Sequence, residues 1–362
     1  MSTRRWLGVA LVGLLALGVA ACGSSSKKSS SAGTSTAAQT LNGAGSTFAA
    51  PFYQQWGTAL KGQGISINYN PVGSGAGIAQ FTAGTVDFGA TDPPMKPEEV
   101  KAAQAKGTPL NVPTGLGAIT ASYNVSGLKT GLKLDGPTIA NIFLGTVKKW
   151  NDPAIAALNS GVKLPSTSIT VVHRSDSSGT TKGFTGFLAS ASPTWKSKVG
   201  TDKTVKWPTG TGAKGNQGVA GAVKSTDGAI GYVEQAYALQ NNFTFASVKN
   251  KSGKFVVPTL QSATAAAIGV SVPADLRFTI KDPTNPAAYP ITSQTFALVY
   301  QDPCKAGLSS GKAKALKTFL DYGLGAGQSV LKQLSYAPLP AAIDSKAKAL
   351  VGTMTCNGSP IA

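Results

Sequence analysis

Histidine, cysteine and acidic side chains are scarce in this chain of 362 residues. It contains one histidine, His173, together with three cysteines and 15 aspartates and glutamates. Zinc and haem sites are built from clustered histidine and cysteine ligands, and the sequence offers no such cluster. A convincing zinc or haem site is therefore excluded, and we expect neither a metal nor a cofactor.

The chain also lacks a convincing set of residues for nucleophilic catalysis. Ser177 and Ser178 lie outside any Gly-x-Ser-x-Gly elbow, and the one histidine stands only four or five positions before them. An exported hydrolase that uses one of these serines with His173 as its base is therefore disfavoured. We expect no enzymatic activity.

Long hydrophobic runs are confined to the N-terminus. Arg4 and Arg5 precede an apolar run, residues 7–21, that is too short to span a bilayer and has the length of a signal-peptide core. The run ends in small residues directly before Cys22, a pattern that resembles a bacterial lipobox. We therefore expect a signal peptide over residues 1–21 and a lipid on Cys22, with an ordinary signal peptide and an incidental cysteine as the alternative.

The next segment consists almost entirely of serine, threonine, alanine, glycine and lysine. Such a composition cannot bury enough apolar surface to fold, so residues 22–40 are predicted to be a flexible tether. No later run is long or apolar enough to cross a membrane, which predicts an exported protein, lipid-anchored to the outer face of the cytoplasmic membrane. Outside the cytoplasm, Cys304 and Cys356 are expected either to form a disulfide that ties down the C-terminus or to remain two buried free thiols.

Acidic residues are outnumbered by 33 lysines and arginines, which gives a net charge of +18. The lysines are scattered singly, without arginine blocks or interleaved aromatic residues, so nucleic acid is not an expected partner. The charge is explained either by attraction of anionic solutes, lipid or wall polymer, or by a merely solvated cationic surface.

Three polar turns, each between an apolar strand pattern and a helical pattern, are the strongest signals in the chain. The first, residues 173–181, offers backbone N–H groups, hydroxyls and the permanently charged Arg174, a set that suits an oxyanion. A helix cap at Ser177 or Ser178 explains the same pattern equally well. Arg174 and Asp176 would then form a surface ion pair.

Two further turns have the same form. Residues 41–47 lead into a segment, 48–56, whose aromatic residues fall on one face of a helix, and residues 71–77 form a glycine-rich turn between a strand and a short helix. Residues 86–92 are typical of a buried strand, which ends in Asp92 because two prolines follow. None of the three turns has Walker A spacing or a dinucleotide fingerprint. Since open α/β sheets bind ligands beyond the carboxyl ends of their strands, the turns and Asp92 predict one oxyanion site.

Five motifs occur in a fixed order over nearly the whole chain after the tether. They are residues 43–48, 86–92, 142–145 with Lys149 and Trp150, 174–180, and 228–233. Together they resemble the substrate-binding proteins of Pst phosphate ABC importers. The resemblance implies an α/β fold of the type II periplasmic-binding-protein class, with two lobes joined by a hinge and a ligand cleft between them. It further implies a monomer that binds inorganic phosphate and hands it to the importer's membrane permease.

Position by position, the resemblance also implies a set of phosphate contacts. These are Thr47 through its hydroxyl and N–H, Phe48 through its N–H, Ser74, Asp92, Arg174, Ser178, Gly179 and Thr180. Asp176 matches the acid that pairs with the arginine and orients it. Ser46 stands where some members have alanine, so it is not placed in this set, and His173 has no clear ligand role.

A carboxylate among anion-binding donors is explained if the anion carries a proton. Phosphate near neutral pH keeps at least one P–OH group, which can donate to Asp92 in a charge-assisted hydrogen bond. Sulfate has no such proton, so its oxygen would face the carboxylate unpaired. Asp92 is therefore predicted to select phosphate over sulfate rather than to act as a general base.

The pattern and the resemblance together predict the domain boundaries. Lobe I is expected to comprise residues 41–114 and 291–362, and lobe II residues 115–290, with a hinge at residues 115–117 that lets the lobes close on ligand. A C-terminal helix is expected over residues 312–322. Two alternatives to phosphate import remain: a binding protein for another tetrahedral oxyanion, and a basic surface lipoprotein whose binding falls steeply with salt.

Overall fold

The computed structural model describes residues 38–362. The predicted signal peptide, the lipid on Cys22 and the tether as far as residue 37 therefore lie outside the described residues. In the described part of the chain, no helix combines the length and the apolar character needed to cross a membrane.

The described residues contain fourteen strands. They are β1 (Gln39–Gly45), β2 (Ile65–Asn70), β3 (Phe88–Thr91), β4 (Pro109–Asn124), β5 (Lys133–Leu134), β6 (Thr170–Arg174), β7 (Thr211–Ala213), β8 (Ala229–Glu234), β9 (Thr244–Phe245), β10 (Ser247–Lys249), β11 (Phe255–Val256), β12 (Thr292–Tyr300), β13 (Thr355–Cys356) and β14 (Ser359–Pro360).

Thirteen α-helices alternate with these strands in the same part of the chain. They are α1 (Ala50–Leu60), α2 (Ser74–Ala83), α3 (Pro97–Ala103), α4 (Gly136–Phe143), α5 (Pro153–Ala156), α6 (Gly179–Ala191), α7 (Pro193–Lys198), α8 (Gly215–Ser225), α9 (Gln235–Gln240), α10 (Leu260–Ala266), α11 (Ser310–Leu324), α12 (Gly327–Gln333) and α13 (Ala341–Gly352). A 3₁₀ turn follows α1 at Lys61–Gln63. The mixture confirms the predicted α/β class.

Nine strands form one sheet in the order β2-β1-β3-β12-β4-β8-β6-β7, with β9 also paired to β4. Strand β4 is 16 residues long and buried except at its two ends. Its first part pairs antiparallel with β12, and its last six residues pair antiparallel with β8. One strand thus joins a first flank (β1, β2, β3 and β12) to a second flank (β6, β7 and β8).

Parallel strands set the position of the polar turns. In the first flank β1 pairs with β2 and β3, and in the second flank β6 pairs with β7 and β8, all in parallel. Helices α1, α2, α6 and α8 begin just beyond the carboxyl ends of β1, β2, β6 and β7. Since parallel strands end at the same edge of a sheet, each flank gathers its helix starts at one edge.

The predicted aromatic face of α1 is confirmed. Phe52 and Trp56 are fully buried, as is Phe48 just before the helix. The rings of Phe52 and Tyr336 pack edge to face with centroids 5.0 Å apart, and Trp56 Nε1 donates to the Gly327 carbonyl over 3.1 Å. These contacts fix the start of α1 against the C-terminal helices.

Two predicted boundaries are wrong. Strand β1 begins at Gln39, so Gln39 and Thr40 belong to the sheet and not to the tether, because backbone pairing with β2 needs no apolar side chains. Helix α2 begins at Ser74, inside the segment 71–77 that was predicted to be a turn, since Gly73 takes a positive φ of 95° and turns the chain directly into the helix.

Other predicted elements lie where the sequence placed them. The strand patterns predicted before the turns at residues 71–77 and 173–181 correspond to β2 and β6, and the helix predicted at 312–322 corresponds to α11. The predicted hinge, residues 115–117, lies within β4, opposite a register shift between Thr295 and Phe296 of β12. The lobe boundaries themselves stay a prediction.

Cys304 and Cys356, which are 52 positions apart in sequence, are joined by a disulfide with their Cα atoms 4.9 Å apart. The bond ties the loop after β12 to β13, close to the end of the chain. Of the two alternatives for this cysteine pair, the structure has the disulfide.

Candidate functional site

Four helix starts meet where the two flanks face each other. They are the turn before α1 (Ser46, Thr47 and Phe48), the start of α2 (Ser74), the start of α6 (Ser178, Gly179 and Thr180) and the start of α8 (Gly215 and Asn216). The first turn of a helix carries N–H groups without intrahelical acceptors and the positive end of the helix dipole. The arrangement therefore concentrates hydrogen-bond donors in one place.

The turn between β6 and α6 serves as a helix cap. Ser178 Oγ accepts a hydrogen bond of 3.1 Å from the Thr181 N–H, so Ser178 caps α6. The ion pair of Arg174 and Asp176, however, is not on the surface, since the two side chains are only 1% and 11% exposed. Strand β6 lies between β7 and β8, and this internal position buries the pair.

The Arg174 guanidinium is held by two oxygens of one carboxylate. Its Nε donates to Asp176 Oδ1 over 2.7 Å, a terminal nitrogen donates to Oδ2, and the other terminal nitrogen lies 3.4 Å from Thr180 Oγ1. The Gly215 N–H also donates to Asp176 Oδ1 over 3.0 Å. Burial opposes ionisation of Asp176, but the hydrogen bonds and charge of Arg174 outweigh it and keep its pKa below the ordinary value. The ionised pair orients the guanidinium.

Asp92, directly after β3, is 1% exposed. The Ser46 hydroxyl and Thr295 Oγ1, the latter at 2.9 Å, both donate to its Oδ1. Burial raises the pKa of Asp92 to about 6, although these hydrogen bonds and the charge of Arg174 act in the opposite direction. The carboxyl group is therefore mostly ionised at neutral pH and becomes protonated in mild acid.

The first and second flanks touch directly at this site. Ser74 Oγ accepts hydrogen bonds of 3.2 Å from the Asp92 N–H on its own flank and from the Gly179 N–H on the other. The Gly75 N–H donates to the Ser177 carbonyl over 3.0 Å. The start of α2 therefore packs directly against the start of α6.

Thr47 and Thr180 are connected through a residue of α8. Asn216 Nδ2 donates to Thr47 Oγ1 over 2.9 Å and lies 3.3 Å from Thr180 Oγ1. The Phe48 N–H donates to Ser46 Oγ over 3.0 Å. The structure thus brings all the predicted contact residues, together with Asp176, into one buried cluster.

Two members of this cluster were missed at the level of sequence, and a third, Ser46, was not ranked with the contacts. Asn216 follows a glycine-rich segment before a helical pattern, residues 210–215, and this segment was the available signal. Thr295 carries no local signal, because it reaches Asp92 only through the antiparallel pairing of β12 with β3 and β4.

His173 is half-buried and lies on the face of Trp207, with ring centroids 4.7 Å apart and an interplanar angle of 11°. Its Nδ1 lies 3.1 Å from the Arg174 carbonyl, and burial lowers the pKa of the ring below its ordinary value. The hydrogen bonds of the described residues do not join His173 to Ser177 or Ser178. The geometry gives no support to a serine hydrolase.

Two ion pairs cross between the flanks beside this cluster. Lys96 Nζ lies 2.9 Å from Asp202 Oδ2, and Lys203 Nζ pairs with Glu99 at the start of α3. The Lys203 carbonyl also accepts the Ser178 N–H over 2.9 Å. The loop around Lys203 therefore links the capping serine of α6 to α3.

Comparisons with known proteins agree on one family. The model of the PBP superfamily domain matches residues 30–326. Phosphate-binding protein PstS of Pasteurella multocida is 42% identical over 318 residues, which cover 87% of this chain and 90% of the relative. Phosphate-binding protein PstS 3 of Mycobacterium leprae is 36% identical over 361 residues, which cover 93% of this chain and 96% of the relative.

This chain belongs to the PstS family. The PstS resemblance drawn from the five motifs is therefore confirmed. The high-affinity periplasmic phosphate-binding protein PfluDING, solved with bound phosphate, has a TM-score of 0.69 to this PstS-family chain at 23% identity, covering 86% of this chain and 93% of the other. That structure supports the predicted periplasmic-binding-protein fold.

Proposed function

We propose that this protein binds inorganic phosphate outside the cytoplasm and delivers it to the membrane permease of an ABC importer. The observation that supports the proposal is the buried, hydrogen-bonded cluster of Arg174, Asp176, the start of α6 and Asp92, which contains one cation, N–H and hydroxyl groups and two carboxylates. In this proposal the ion is contacted by the residues that the resemblance implied: Thr47, Phe48, Ser74, Asp92, Arg174, Ser178, Gly179 and Thr180. The function involves binding without catalysis.

Hydrogen bonds, and not net charge, hold the anion in this proposal. The ionised side chains of the cluster are one cation, Arg174, and two acids, Asp92 and Asp176, so they do not sum to a positive charge. The helix starts supply N–H donors and oriented dipoles that need no counterion. Binding should consequently depend weakly on salt, because a buried, hydrogen-bonded ion is little affected by screening.

Asp92 explains why the site would prefer phosphate to sulfate. At neutral pH phosphate carries a P–OH group, and Asp92 is an acceptor beside the donors that hold the other oxygens. Sulfate would place an oxygen without hydrogen against the carboxylate in a buried site, which leaves both groups unpaired. We propose that Asp92 selects protonated oxyanions, such as phosphate and arsenate, over sulfate.

We further propose that a lipid on Cys22 tethers the protein through residues 22–38 to the outer face of the membrane. Lobe I (residues 41–114 and 291–362) and lobe II (115–290) would close around phosphate by bending at residues 115–117, where β4 passes between the flanks. The ion pairs of Lys96 with Asp202 and of Lys203 with Glu99 would form on closure, because each joins one lobe to the other.

Isothermal titration with phosphate, arsenate and sulfate at two salt concentrations tests the proposal. We expect tight phosphate binding, weaker arsenate binding and no measurable sulfate binding, with little change between the two salt concentrations. Binding that falls steeply with salt, or that does not distinguish phosphate from sulfate, would contradict the proposal and favour the surface lipoprotein or another oxyanion.

A single methyl group at Gly179 should weaken phosphate binding. A Cβ built there lies 2.4 Å from Asp92 Oδ2 and 2.5 Å from Ser74 Oγ, so Gly179→Ala forces the flanks apart. We expect a loss of at least about tenfold in phosphate affinity by titration calorimetry, in line with the cost of overpacking a close contact. Gly186→Ala in the same helix is the control, because its nearest neighbour, Thr201 Cγ2, is 3.6 Å away, and equal affinity of the two variants would contradict this packing argument.

A further inference from the structure

Asn216 is fully buried at the start of α8, and every polar atom of its side chain is paired. Its Oδ1 accepts a hydrogen bond of 3.1 Å from the Glu234 N–H. Since a backbone N–H can only donate, this contact fixes which side of the amide is the oxygen. The NH₂ group must therefore face the opposite way, toward the cluster.

The NH₂ group of Asn216 carries two hydrogens, and it faces two hydroxyl oxygens. One is Thr47 Oγ1 at 2.9 Å, on the first flank, and the other is Thr180 Oγ1 at 3.3 Å, in α6. The Asn216 N–H adds a second donor to Thr47 at 3.3 Å, and an Arg174 nitrogen adds a second donor to Thr180 at 3.4 Å. Each hydroxyl oxygen thus faces two groups that can donate but cannot accept.

The number of donors around each hydroxyl oxygen decides whether the hydroxyls of Thr47 and Thr180 can donate to a ligand. A threonine hydroxyl has one hydrogen and two lone pairs, and it rotates to suit its neighbours. Where both neighbours of the oxygen are donors, the lone pairs are used and the hydrogen must point elsewhere. Among the described residues neither the Thr47 nor the Thr180 hydroxyl donates to an acceptor, so both hydrogens are available to an anion before the ligand arrives.

We propose that Asn216 is a positioning residue that fixes the hydroxyls of Thr47 and Thr180 as donors to the bound anion. The inference rests on the proposed function and extends it. The site then has two poles: a donor end at Thr47 and Thr180, which accepts only oxygens without hydrogen, and an acceptor end at Asp92, which requires a P–OH. The two poles orient a monoprotonated oxyanion in one way.

The turn at the start of α8 also helps to hold Arg174 in place. Gly215 precedes it with a positive φ of 71°, and its N–H donates to Asp176, the carboxylate that holds Arg174. A residue with a side chain at position 215 is disfavoured by this backbone conformation. One tight turn therefore orients both the cation and the two hydroxyl donors.

The test uses Asn216→Ala in the full mature chain, with phosphate titrated by calorimetry and thermal unfolding measured without phosphate. Loss of the amide leaves both hydroxyls free to rotate, and we expect phosphate affinity to fall by about ten- to a hundredfold. Asn159→Ala is the matched control. Asn159 is another buried asparagine, paired through its amide with Lys133 and Ile155, and it lies outside the cluster. Its replacement should lower the unfolding temperature without changing affinity.

A double-mutant cycle separates positioning from general structural support. In a Thr47→Val, Thr180→Val background the hydroxyls are absent, so Asn216→Ala should cause less than about a twofold further loss of phosphate affinity. Full additivity of the losses would overturn the inference, as would an unchanged affinity of the single variant. Failure of the unsubstituted protein to bind phosphate would instead reject the proposed function, so the two failures are distinguishable.

Discussion

Replacing Arg174 with alanine should reduce phosphate affinity by about a thousandfold. Among the described residues, Arg174 is the only cationic side chain hydrogen-bonded within the cluster, and its side chain is 1% exposed. The substitution removes charge-assisted donors and leaves Asp176 ionised and unpaired in a buried position. Removing one partner of a buried ion pair costs a folded protein about 3–5 kcal/mol, and a loss of the same size in binding corresponds to a factor of about 150 to 4,000. Titration calorimetry with phosphate measures the loss.

A matched pair elsewhere in the chain provides the control. Arg277 pairs with Asp275, again two positions apart, with Nε 2.7 Å from Oδ2, but the two side chains are 31% and 49% exposed. Because exposed ion pairs contribute little, Arg277→Ala should leave phosphate affinity unchanged. Similar affinities of the Arg174 and Arg277 variants would show that the buried arginine does not hold the anion. Arg174→Lys should recover only part of the loss, since an ammonium group cannot bind both Asp176 oxygens in parallel.

Asp92→Asn should narrow the preference for phosphate over sulfate by about a hundredfold. An amide keeps the shape of the carboxyl group but offers an NH₂ donor in place of a charge, so a sulfate oxygen is no longer repelled and phosphate loses its charged acceptor. Titration of both anions measures the ratio. Asp87→Asn is the control, because Asp87 precedes the same strand, β3, at its far end and pairs with Lys312 away from the cluster. An unchanged ratio in the Asp92 variant would remove this residue from the selectivity argument.

Titration of the Asp92 carboxyl group should make sulfate affinity depend on pH. Burial raises the pKa of Asp92 to about 6, so the charged acceptor is present above that pH and is lost as the pH falls through it. A protonated Asp92 can donate to an oxygen without hydrogen. Sulfate keeps its charge over this range, and its affinity should therefore increase between pH 7.5 and pH 5. In the Asn variant this increase should be absent, and a sulfate affinity that is flat in both proteins would count against a titrating Asp92.

Local sequence patterns predicted the elements that carry the site. An apolar run followed by a polar turn and helical spacing indicated β6 and α6, and the aromatic spacing indicated the buried face of α1. Such patterns succeed because strand and helix periodicity depend on residues close in the chain. The family likewise followed from five short motifs in order, and the comparisons confirm it.

Long-range pairing placed the remaining parts of the site. Thr295 lies about 200 positions from Asp92 in sequence, and it meets that carboxylate only because β12 returns between β3 and β4. The helix-cap interpretation of the sequence made Arg174 and Asp176 a surface pair, but the internal position of β6 buries them.

The sequence by itself determined the types of residues available to the anion. They are one arginine in a polar turn, hydroxyls at helix starts and an acid after a buried strand. Only the tertiary structure decided which direction each hydrogen bond takes, because a hydroxyl or an amide becomes a donor or an acceptor through its neighbours. Asn216 is the clearest case. Its orientation depends on the Glu234 N–H at the end of β8, and its effect appears at Thr47 and Thr180, which come from two other elements.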